Sequence, residues 1–291
     1  MNDIRLNDRL NNKDTVSFEA PQKSGFRTKI IGGYDAYKDK NGVTRFGETV
    51  FETENMIVLG GSLFTLEKLF GVESPLKVDY LNDIMGIATT GEVITDTYPK
   101  DTVVCLFGVG TGGAGDAITE VKDVKYYERE IVDMIPLRQT ADPLTTSESK
   151  KYWFKRDIEI NGIQKRQYFL KTFETLPEIK VLWRDGEGDE DGSEVGENVH
   201  TTPETNNTPI ETFIEITMNI NKKDIREYFE DMGNVEVARL NSIALFTGIK
   251  SKISDTEEDF KQVKMFSKLN INNEVMTLAK DLTIAYRIYT S

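Results

Sequence analysis

A single histidine and a single cysteine leave most side-chain chemistry with little to work on. Zinc-type sites draw on several His and Cys ligands, and only His200 and Cys105 are on offer. A Ser–His–acid triad would have to run through His200, and no serine sits in the glycine-flanked elbow that such a nucleophile needs. The phosphate-cradling pattern Gly-x-x-x-x-Gly-Lys-Ser/Thr does not occur. One cysteine cannot form an intramolecular disulfide, which predicts a reducing compartment. Cys105 lies within Val103-Val104-Cys105-Leu106-Phe107 and reads as a small buried hydrophobe. No apolar run nears the roughly 20 residues of a spanning helix. Met1-Asn2-Asp3-Ile4-Arg5 has neither the basic head nor the apolar stretch of a secretory signal, so synthesis in the cytoplasm is expected. Basic residues are also in the minority: 36 Lys and Arg against 49 Asp and Glu give a net charge of −13. Phosphate backbones and anionic lipids are bound by clustered cations. The balance therefore predicts neither a membrane partner nor sequence-specific contact with nucleic acid.

What the chain does have is many short apolar runs between turn residues. Residues 1–25 are polar with scattered apolar positions and read as an extended N-terminal arm. Residues 26–34 are strand-like and close on Gly32-Gly33, read as a glycine turn. Asn41-Gly42 is a hairpin signal, with residues 44–51 as the returning strand. Leu63, Phe64, Leu66, Leu69 and Phe70 follow a 3.6-residue period, with Ser62 as N-cap and Gly71 just past the end. Residues 102–107 predict a buried strand leading into a glycine-rich loop, and Pro136 favours extended chain through residues 134–138. Residues 152–160, 167–175 and 178–183 predict three more strands, the first two joined by Asn161-Gly162.

Residues 185–209, rich in Asp, Glu, Gly, Asn and Thr, read as a mobile acidic loop. After a strand over residues 211–220, Asn221 caps a helix that runs to Met232. Ile225, Tyr228, Phe229 and Met232 share one of its faces, and Gly233 ends it. Three strands close the chain, over residues 238–247, 263–269 and 282–289. The last alternates Leu282, Ile284, Tyr286 and Ile288 with Thr283, Ala285, Arg287 and Tyr289, the pattern of a half-buried strand. The expected class is α+β and β-rich: antiparallel sheets, sandwich- or barrel-like, with two or three short helices, forming one domain over residues 26–291.

Three stretches invite a chemical reading. Gly108-Val109-Gly110-Thr111-Gly112-Gly113 matches a dinucleotide fingerprint, but no apolar helical stripe follows and no βα alternation surrounds it. A tight, deformable turn is the better reading, with Gly112 and Gly113 available for a partner to order; no cofactor is expected. Asp185-Gly186-Glu187-Gly188-Asp189-Glu190-Asp191-Gly192 resembles a calcium loop, yet Asn198 falls where the bidentate Glu belongs, so a solvated charge run is the simpler reading and no metal is expected. Trp153, Phe154, Tyr168, Phe169, Phe173 and Trp183 cluster in the middle strands, as core or, for Trp153 and Trp183, as interface anchors.

Three further stretches resemble structural proteins from the virions of tailed bacteriophages. One is Glu54-Asn55-Met56-Ile57-Val58-Leu59-Gly60-Gly61 with Leu66-Glu67-Lys68-Leu69-Phe70-Gly71. Another is Asp133-Met134-Ile135-Pro136-Leu137-Arg138. The third joins Arg239-Leu240-Asn241-Ser242-Ile243-Ala244-Leu245-Phe246, Met265-Phe266-Ser267-Lys268-Leu269 and Asp281-Leu282-Thr283-Ile284-Ala285-Tyr286-Arg287-Ile288-Tyr289. The resemblance implies a neck, connector, tail-completion or capsid-associated component. Such a component is non-enzymatic, is made in the host cytoplasm and resides in the virion. Its expected partners are copies of itself and other virion proteins, docked through arms and shared sheet edges. Ile284, Tyr286 and Ile288 of the last strand are then interface candidates. The acidic balance would suit a lumen that DNA passes without sticking. A β-sandwich module of a tail or fibre that recognises carbohydrate or a receptor, with an exposed Trp153 or Trp183, is the competing expectation.

Overall fold

A computed structural model describes residues 26–74, 76, 78–87, 101–115, 120–185, 199–200, 207–233, 238–252, 258–275 and 280–290. In chain order the elements are β1 (Phe26–Lys38), β2 (Thr44–Thr53), β3 (Met56–Ile57), α1 (Leu59–Phe70), α2 (Leu81–Met85), β4 (Val103–Gly110), β5 (Met134–Ile135), β6 (Arg138–Thr140), β7 (Tyr152–Ile160), β8 (Ile163–Thr172), β9 (Glu178–Asp185), β10 (Val199–His200), β11 (Asn207–Ile220), α3 (Arg226–Asp231), β12 (Arg239–Lys252), β13 (Glu258–Val275) and β14 (Leu282–Thr290). The expected β-rich α+β class is what the chain adopts. One sheet has the order β10-β9-β11-β14-β1-β2. The other runs β3-β13-β12-β4-β8-β6, with β5 beside β4 and β7 beside β8. Among the described residues every strand pairing is antiparallel.

The sheets stack because each presents an apolar side chain at every second position. Ile30, Ile216, Met218, Ile284 and Tyr286 of the first sheet meet Phe107, Val109, Ile243, Leu245 and Leu269 of the second in one shared core. The far side of the second sheet is covered too. There Leu106, Phe169, Leu170, Phe246 and Met265 pack with Leu81 of α2 and with Ile131. With both faces covered, β4 and β12 read as near-continuous apolar runs.

The outer face of the first sheet is covered by its own hairpin. Gly32-Gly33 does not end β1 as expected; it bends it. The β1–β2 register slips there, and the strand continues to Lys38. A Cβ at Gly32 would lie 2.2 Å from the Phe51 ring, and one at Gly33 2.3 Å from the Glu48 carbonyl, so the bend requires glycine. The bent hairpin lays its tip, Val43 and Thr44, over Phe213, Glu215, Arg287 and Tyr289. This corrects the reading of β14. It is buried on both faces, Ala285, Arg287 and Tyr289 included, and is paired on both sides, with β1 and β11.

Turn chemistry is as expected at Asn161-Gly162, where φ is 53° and 79°. Gly71 ends α1 at φ 64°. Two helix expectations need correction. Ser62 is not the cap: α1 begins at Leu59, after Val58, and takes Gly60 and Gly61 into its first turn. That turn lies on the backbone of β13, where a Cβ at Gly61 would stand 2.0 Å from the Phe266 carbonyl. The helix after β11 is shorter than its period suggests. Ile225 sits at φ 58° and donates its N–H to the Leu137 carbonyl at 2.8 Å, so α3 starts only at Arg226. Of the expected arm over residues 1–25, nothing lies within the described residues. Of the expected acidic loop over 185–209, Asp185, residues 199–200 and residues from 207 onward are strand, and the remainder lies outside.

Candidate functional site

Most of the interface candidates fall inside the fold. Ile284 and Tyr286 are core residues of a central strand. Trp153 is buried on the far side of the second sheet, its ring edge-on to Phe260 with centroids 5.0 Å apart. Gly112 and Gly113 are buried spacers: a Cβ would come within 2.3 Å of the Val132 carbonyl and 2.2 Å of the Asn241 carbonyl. The Gly113 N–H donates to Asn241 Oδ1 at 2.7 Å. Groups held this way cannot be offered to a partner without dismantling the sheet, so the interface expectation does not carry over to these five. Ile288 and Trp183 are half-buried, on the inner face of the first sheet towards its β9 side. Cys105 is half-buried in β4, and burial pushes its thiol up to about 12, the wrong direction for a nucleophile. His200 lies in β10 opposite Trp183. Among the described residues no three metal-binding side chains converge, and the acidic run over residues 186–192 lies outside them.

Two buried carboxylates went unnoticed in the sequence. Asp224, in the turn after β11, accepts from Lys171 Nζ at 2.9 Å, from the Tyr152 hydroxyl at 2.6 Å and from the Asn221 N–H at 2.9 Å. Lys171 and Asp224 side chains are both fully enclosed, and Lys171 also donates to the Asn219 carbonyl. Burial, then the adjacent Asp224 charge, raises the Tyr152 pKa and keeps its hydroxyl a donor. The cluster ties β7 and β8 of one sheet to the end of β11 in the other.

Glu215 of β11 lies under the hairpin tip. It accepts from Lys38 Nζ at 2.8 Å, the Thr44 hydroxyl at 2.6 Å, the Thr44 N–H at 3.1 Å and Arg287 Nε at 2.9 Å. Arg287 Nη2 donates to the Thr44 carbonyl at 2.6 Å. Burial pushes the Glu215 carboxyl up, but hydrogen bonds from Lys38, Thr44 and Arg287 outweigh it and hold the carboxyl below its ordinary value. A carboxylate so saturated with donors is a fastener. In a cleft of about 310 Å³ beside β7 and β8, Asp157 is gripped by Arg166 at 2.6 and 2.9 Å and its pKa is lowered, unlike a general acid.

The surface offers edges and apolar area instead. Among the described residues β2 pairs only with β1, and β7 only with β8, leaving one side of each open. The outer side of β9 is taken, among the described residues, by β10 only at Trp183 and Arg184. Leu66, Leu69 and Phe70, three of the five residues of the α1 stripe, are exposed, with Val72, Leu76 and Tyr127 exposed nearby in sequence or fold. The glycine end of α1 docks on the β13 backbone, and Phe64 packs on the Phe266 ring. Leu176, just before β9, and Ile179, at its start, are also exposed. No family model matches the chain, nor does any curated protein or any solved structure.

Proposed function

We propose that this chain is a non-enzymatic structural subunit of a tailed-bacteriophage virion. In this reading it forms a ring or shell at the head–neck–tail junction by docking on copies of itself and on other virion proteins. One observation carries the assembly part: long strands with an open edge lie on the same body as exposed aliphatic side chains, at β9 and along α1. Unpaired strand edges attract another strand unless they are blunted, and clustered exposed aliphatic residues are a common mark of docking surfaces. The virion part rests on the sequence resemblance. The net charge of −13 suits a subunit that DNA passes without adhering. For the carbohydrate-module reading, Trp153 is enclosed and cannot form the floor of a shallow groove, which leaves half-buried Trp183 to carry it.

Electron microscopy and native mass spectrometry of the purified full chain test the reading. Closed rings or discrete multimers are expected. A chain that stays monomeric at high micromolar concentration would refute it.

A further inference from the structure

We propose that the edge of β9 receives the N-terminal segment, residues 1–25, of a second copy, added as an extra strand beside residues 178–182. This deepens the assembly reading and rests on it.

The receiving surface is a row of isoleucines. Ile179 is the register partner of Ile214, Ile214 of Ile288, and Ile288 of Thr28 on β1. All lie on the face that the core occupies further along. Exposure climbs towards the edge, from half-buried Ile288 to 37% at Ile214 and 71% at Ile179, with Leu176 at 86% just before the strand. Val181 and Trp183 alternate with Ile179 on the same face and are half-buried. The apolar face of the sheet thus runs on past its cover. Beside it, the outward backbone groups of residues 178–182 have no strand partner among the described residues. Strand addition uses both features at once, backbone groups for affinity and alternate side chains for selectivity.

The occupant is chosen by where the segment begins and what it contains. Residues 1–25 join the sheet at Phe26, opposite Thr290 and two positions from Thr28, at the end of the sheet that carries the row. A segment entering at that end could meet the matching edge of a neighbouring copy. Twenty-five extended residues reach up to about 80 Å. The segment holds two apolar–polar–apolar triplets, Ile4-Arg5-Leu6 and Val16-Ser17-Phe18, each able to give a strand one apolar face. Its acids, Asp3, Asp8, Asp14 and Glu19, are balanced by Arg5, Arg9, Lys13 and Lys23, so the acidic body does not repel it.

Two full-length variants test this: Ile179→Asp/Ile214→Asp on the row, and Val16→Asp/Phe18→Asp on the segment. The second is matched by Ile4→Asp/Leu6→Asp, in case the first triplet is the one that docks. Sedimentation is read at a concentration where the wild type is assembled, and thermal melting checks the fold. The row variant and one segment variant are each expected to associate at least tenfold more weakly, with melting unchanged. Mixing those two should restore a dimer, because one molecule still has its segment and the other its row. Wild-type assembly by both segment variants, or no dimer on mixing, overturns the proposal while leaving the assembly reading intact. A monomeric wild type overturns both.

Discussion

Asp224 and Glu215 are both carboxylates shut away from water, yet they hold different things. Asp224 sits between the two sheets and answers a fully buried lysine. Glu215 sits outside the sandwich, and is buried only because a bent hairpin lies across it. A buried ion pair adds little net stability against well-packed apolar residues, but losing one partner strands the other in a low-dielectric interior. The position of each acid then decides what comes apart. Without Asp224 the interior of the whole body carries an uncompensated Lys171. Without Glu215 the hairpin tip can lift and let water reach Arg287, which limits the loss.

Substitutions can break that contrast, the largest first. Asp224→Ala should cost about 3–5 kcal/mol, read as a lower denaturation midpoint for the whole chain in urea; a loss under about 1 kcal/mol would show that Lys171 finds relief elsewhere. Glu215→Ala should cost less, about 2–3 kcal/mol, the value of losing hydrogen bonds to a charged group. Hydrogen exchange should rise first in residues 34–49, ahead of β4 and β12. Uniform loss of protection would erase the distinction between fastener and core.

Acid sharpens the comparison further. The folded pKa of Glu215 lies below its unfolded value. Its stabilisation is therefore complete above the unfolded value of about 4.3. It fades as pH falls below that value, and is gone once pH has passed the folded one. Amides of the hairpin should lose protection in that acidic window in the wild type, with a smaller response in Glu215→Gln. Last, Lys38→Ala should cost less than about 1 kcal/mol in a thermal melt. The Lys38 side chain is 49% exposed, and Arg287 and Thr44 still hold the carboxylate.

What could be read in advance was what local chemistry decides. Both Asn-Gly turns and the strands flanking them stood out, because a turn with positive φ selects its residues regardless of the rest of the molecule. Gly71 marked a helix end for the same reason. The errors came from distant contacts. Nothing near Ile225 in sequence announces that Leu137 will claim its N–H. Nor do residues 211–220 by themselves announce that a hairpin will cover the Phe213 and Glu215 side of β11. A faint signal was present: Phe213 and Tyr289 are large aromatics in the polar phase of their strands, and Arg287 shares that phase. The surface row was half legible. Ile288 and Trp183 were singled out for interface roles, while Ile179 and Ile214 were not, since exposure depends on where the opposing sheet stops.

The Asn161-Gly162 turn has a practical use. It caps the β7–β8 hairpin, and a Cβ placed on Gly162 would meet nothing within 4 Å. A short tag or a fluorophore inserted there should leave the sandwich untouched. Because the outer flank of β7 is open among the described residues, such a reporter would stand at the margin of any neighbour that settles against that strand. The turn is thus a ready attachment point for following the molecule as it joins larger structures.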